Sequence, residues 1–120
     1  MRQLNLYSAT RRYNSIMENI GYEHNTIGEG WSDKTENWNL RDMVAECDYI
    51  LGTYYEEGHC NADMRESFDE KERKMWRSEV GRLQRFIAAY EPYIKDMVCT
   101  HNHCSSYDNA EDEQSLSKNR

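Results

Sequence analysis

No run of about 18 apolar residues occurs anywhere in this 120-residue chain, so no segment has the length and character of a membrane-spanning helix. The first residues, MRQLNLYSATRRYN, lack the continuous apolar stretch of a secretory signal. The expected setting is therefore the cytoplasm, where thiols stay reduced and four cysteines imply no disulfide framework. Also missing are a glycine-rich phosphate loop, a nucleophile elbow and an HExxH helix, and on this ground the chain is not expected to be an enzyme. Positive charge is scarce. Fifteen Lys and Arg residues stand against 22 Asp and Glu, a formal charge of -7, which disfavours non-specific contact with nucleic-acid phosphates and suits a basic protein surface.

What is present is helical periodicity. Trp76, Val80, Leu83, Ile87, Tyr90, Ile94 and Met97 recur at alternating steps of four and three, which puts them on one stripe of a helix. This predicts a central helix over about 69–91, opened by the capping-box spacing of Ser67 to Glu70. Pro92, the single proline, must end or kink it and suits the first turn of a short last helix. A first helix over about 5–20 follows from Leu6, Ala9, Tyr13, Ile16, Met17 and Ile20, with Gly21 in place for a left-handed cap. A second, over about 40–57, starts at the N-cap Asn39 with Asp42 at N3 and presents Leu40, Met43, Val44, Cys47, Ile50, Leu51 and Tyr54 on one face, ending near Gly58.

The connection 21–38 has no sustained period, and its Gly, Asn and Asp residues supply turn chemistry, with room for a short β element. Trp31 and Trp38 within it are expected either to fold against the helices or to form an exposed binding loop. The expectation is an all-α domain of three main helices over residues 1–104, followed by a flexible polar tail, 105–120.

Three groups of residues could carry function. The far side of the second helix holds Asp42, Glu46, Tyr49 and Glu56, and the acidic segment that follows adds Glu57, Asp63 and Glu66. Together they form a candidate surface that imitates nucleic-acid phosphates to a basic groove. A basic strip, Lys71, Lys74, Arg82 and Arg85, runs opposite the apolar stripe of the central helix; it either touches nucleic acid or balances nearby acids. Cys99, His101, His103 and Cys104 pack four zinc-ligand types into six residues, and His59 and Cys60 add two more. Their spacing fits no standard finger, so ordinary surface residues and a structural zinc both stand, and no other cofactor is implied. If the second and central helices are antiparallel neighbours, Cys60 and Cys99 lie at opposite ends of the molecule. Cys47 falls on the apolar face as a buried thiol.

The stretches WNLRDMVAECDYILGTYYEEGHCNADMR (38–65) and WRSEVGRLQRFI (76–87) resemble small accessory proteins encoded by phages and mobile elements of Gram-positive gut bacteria. Several small acidic proteins of that kind are anti-CRISPR or other anti-defence inhibitors. The resemblance implies a stoichiometric inhibitor whose partner is an RNA-guided Cas nuclease of the host. It brings no active-site motif and no functional residue with it. A zinc-stabilised helical module and a nucleic-acid binder are the alternatives.

Overall fold

The computed structural model describes residues 4–28, 35, 38–58 and 60–98. The structure is all-α, with no strand among the described residues. Helix α1 spans Leu6–Asn19, α2 Leu40–Ile50, α3 Ala62–Glu66 and α4 Glu70–Tyr90. Two 3-10 turns, Glu23–Asn25 and Glu91–Tyr93, follow α1 and α4.

Local chemistry sets the ends. At α1, the Asn5 side chain accepts from the Ser8 amide. At its other end Gly21 takes a φ of 86°, and the Gly21 and Tyr22 amides close back on Glu18 and Met17, the paired bonds of a Schellman cap. Helix α2 opens with a reciprocal box between Asn39 and Asp42, as its sequence predicts. For α4 the box is shifted by two residues from the expected one. Asp69, not Ser67, is the N-cap and pairs with Glu72, because Ser67 already closes the last turn of α3 with its hydroxyl on the Met64 carbonyl. Helix α3 itself was not legible: its five residues carry no buried side chain and so no apolar stripe.

Helix α2 does not run on to residue 57 as a regular helix. Leu51–Glu56 is a π-helical turn, with the Glu57 amide reaching the Gly52 carbonyl. Such a turn inserts one residue into the helical phase. The inward stripe slips accordingly: Tyr55 is buried, and Tyr54, expected inside, is half-buried. Gly58 then closes the turn, where a Cβ would collide with the Thr53 carbonyl oxygen. Pro92 lies in the 3-10 turn Glu91–Tyr93, so the expected last helix is a single tight turn.

The core is shared by three helices. Ala9, Tyr13, Ile16 and Met17 from α1 meet Leu40, Met43, Val44, Cys47 and Ile50 from α2 and Val80, Leu83 and Phe86 from α4. Each large side chain buried here contributes roughly 1.5–3 kcal/mol. Phe86, absent from the simple stripe, packs on Tyr13 at 5.9 Å and Tyr90 at 4.8 Å between centroids. Leu6, by contrast, is exposed in the first turn of α1. Trp38 does pack on the core, 6.4 Å from Tyr13; Trp31 lies outside the described residues.

Contacts fix the directions. Arg41, at the start of α2, bonds the Ile94 carbonyl, whereas Tyr55, beyond its end, bonds Glu79, so α2 and α4 are antiparallel. One cleft joins Ser8 to Tyr90 and the next joins Ser15 to Arg82, so α1 is antiparallel to α4 as well. Helices α1 and α2 therefore run the same way, and a long return segment is a geometric necessity. That explains the connection between them.

Candidate interaction sites

The return segment decides which charges on α2 are functional candidates. Asp42 is 0% exposed and Glu46 2%, which corrects the expected acidic outer face of this helix. The physical reason is coverage from the side of the connection. Asn25, in the turn after α1, donates from Nδ2 to Glu46 Oε2 at 2.7 Å. Asn14 holds the strap to α1 by two bonds, accepting from the Ile27 amide at 2.7 Å and donating to the Ile27 carbonyl at 2.9 Å. Thr35 and Thr26 add buried hydroxyl bonds to the Thr26 and Glu23 carbonyls. Arg41, also buried, donates to Ile94 at 3.0 Å and ties the segment after α4 to the start of α2. The phenol of Tyr13 faces this carboxylate-rich interior; burial, then Cys47, Glu46 and Asp42, push its pKa well above the usual range.

Of the other expected acidic contacts, Tyr49 is half-buried and packs edge-on against Tyr54 at 6.3 Å. Glu56, Glu57, Asp63 and Glu66 are exposed. Next to them in the chain, Tyr55 and Cys60 enter a feature that the sequence did not announce, a cleft of about 170 Å³ lined also by Phe68, Met75 and Trp76, with Glu72 and Glu79 at its walls. The π-helical turn builds it. The Tyr55 carbonyl accepts from Trp76 Nε1 at 3.0 Å, and the Tyr55 hydroxyl donates to Glu79 at 2.6 Å. Arg65 then closes the back, lying 4.7 Å from the Trp76 ring while bonding the Cys60 carbonyl. Met75, 53% exposed, leaves apolar surface in the cleft, and Met64 of α3 is 47% exposed. A signal existed in the composition of 64–76, where Met64, Phe68, Met75 and Trp76 interrupt an acidic run, but only the fold brings the last three to one place.

The basic strip divides. Lys71 and Lys74 are exposed near the start of α4, whereas Arg82 and Arg85 turn towards α1 and, with Arg12 and Ser15, line a separate cleft of about 200 Å³.

Of the described thiols, neither Cys47 nor Cys60 resembles an activated nucleophile. Burial, then Glu46 and Asp48, hold Cys47 well above the ordinary thiol range; burial and Glu79 raise Cys60 despite the nearby Arg65. Cys99, His101, His103 and Cys104, with His59, lie outside the described residues, and no group of three or more metal-ligand side chains occurs among those described. Asn39 Nδ2 bonds the Val98 carbonyl, which places residue 98 at the start of α2, the end opposite Cys60. No described helix is long and apolar enough to cross a membrane. Comparison with protein-family models, with curated proteins and with solved structures finds no match.

Proposed function

We propose that this protein is a stoichiometric protein-binding inhibitor that docks through the cleft between the π-helical turn and α4. One observation carries the reading: exposed Met75 and the Trp76 ring line a cleft with Glu72 and Glu79 in its walls, and the chain that enters it at Tyr55 and Cys60 carries the exposed Glu56, Glu57, Asp63 and Glu66. An apolar centre inside a charged rim is the anatomy of an interface, and methionine adapts its shape to a partner at little cost. The carboxylate rim selects a partner with lysine and arginine around an apolar anchor and speeds its approach.

The resemblance to phage accessory proteins directs the choice of partner to a host defence nuclease. The basic DNA channel of an RNA-guided Cas effector has the complementary charge, and inhibition there is competition with DNA. The acidic surface that competes is the segment 56–66, with Asp42 and Glu46 reserved for the interior. The role is binding without turnover.

The test is a titration of the purified full chain into purified Cas effectors loaded with guide RNA, reading target-DNA binding at two salt concentrations. Loss of DNA binding at one equivalent, relieved by salt and by the triple reversal Glu57→Lys, Asp63→Lys, Glu66→Lys, is the expected result. Inhibition that survives the triple reversal would overturn the assignment of this surface; no inhibition of any effector would overturn the choice of partner.

A further inference from the structure

We propose that the groove between α1 and α4 binds a phosphate ester carrying a flat polar body, that is, a free nucleotide or the end of a single strand. The site shares no lining residue with the acidic cleft, and the inference does not rest on that reading. Its narrow part, about 200 Å³, is lined by Arg12, Ser15, Ile16, Arg82 and Arg85. Three guanidiniums and a hydroxyl in so small a space, with no carboxylate in the lining, make a site for a compact oxyanion. Among the described residues, neither Arg82 nor Arg85 is engaged by an ion pair or hydrogen bond.

The arginines are positioned by the fold. Arg85 folds back over Gly81, so closely that a Cβ there would stand 2.9 Å from its Nη1. Arg12 lies over the Tyr90 ring, 5.7 Å from its centroid, a cation–π contact that positions the guanidinium at the boundary with a wider cleft of about 470 Å³. That second cleft shares Arg12 and continues past Ser8 to Tyr90 and Tyr93, again with no acidic lining residue. An anion seated among Arg12, Arg82 and Arg85 thus has room for its remaining body along α1, in the wider cleft where Tyr90 and Tyr93 line the wall beside an aromatic base. The net charge of -7 opposes indiscriminate binding of polyanions, so recognition is confined to this local arrangement.

Calorimetric titration of the full chain with AMP, adenosine, inorganic phosphate and an eight-nucleotide single-stranded DNA tests the assignment. AMP is expected to bind saturably, and adenosine and phosphate each about tenfold more weakly, since each lacks half of the contacts. The double substitution Arg82→Gln, Arg85→Gln should lower AMP affinity at least tenfold without shifting the melting temperature. Gly81→Ala, which removes no charge, should weaken AMP binding by displacing the Arg85 head group while the helix gains thermal stability. An octanucleotide at least about tenfold tighter than AMP, and lost with the same arginines, identifies the strand as the source; equal or weaker binding identifies the free nucleotide. Absence of saturable binding by either at low salt, or binding indifferent to the arginine substitutions, would overturn the proposal.

Discussion

Two acidic regions of this molecule use the same residue types for opposite ends. Along the first turns of α2, Asp42 and Glu46 lie inside and stabilise the architecture, one closing the N-cap of its own helix and the other holding Asn25 of the return segment. In the segment from Glu56 to Glu66 the carboxylates are exposed, while Cys60 and the neighbouring Tyr55 line an apolar cleft. The difference is coverage. The turn after α1 covers the first region and brings the Asn25 donor to Glu46; among the described residues no such segment crosses the second. A carboxylate with a buried partner is a structural element, whereas one with only solvent around it is free to meet a partner.

Substitutions can sharpen that contrast. The largest loss is expected from Glu46→Ala, which strands the buried Asn25 amide; about 2–3 kcal/mol should disappear from the unfolding free energy measured by urea denaturation. Asn14→Ala removes both bonds to Ile27 and should cost about 1–3 kcal/mol, with faster amide exchange in the return segment as its particular signature. Glu66→Lys should change stability by no more than about 0.5 kcal/mol while weakening partner binding; a large stability loss there would erase the distinction between the regions.

The smallest effect concerns Asp48, half-buried between them. Burial, then Glu56 and Glu91, raise its carboxyl above the ordinary value. The folded protein holds this proton more firmly than the unfolded chain, so the penalty for ionisation is absent below the unfolded pKa and grows as pH rises through the folded one. Asp48→Asn should therefore raise the melting temperature slightly at pH 7, and the gain over the wild type should vanish as the pH falls towards the ordinary aspartate range.

Much of the helical content was legible because periodicity and capping are local. The α1 stripe with its Gly21 cap, the Asn39 and Asp42 box and the repeat from Trp76 to Met97 all depend on residues a few positions apart. The candidate surface was only half legible. Glu56, Glu57, Asp63 and Glu66 are exposed as expected, but the π-helical turn shifted the stripe by one residue, and nothing in the local spacing announces such an insertion. The cleft built on Tyr55 and Trp76 follows from that shift.

By itself, then, the sequence determined the three main helices, both ends of α1 and the start of α2, and most of the side chains in the apolar stripes, because these follow from hydrogen bonds and side-chain positions within one or two turns. Only the tertiary structure decided that α1 and α2 run in the same direction. From that single choice come the return segment, the burial of Arg41, Asp42 and Glu46, and the meeting of Arg12 with Arg82 and Arg85. Whether a charged residue on a helix faces water depends on what packs across it, and that is set by chain segments more than a dozen residues away.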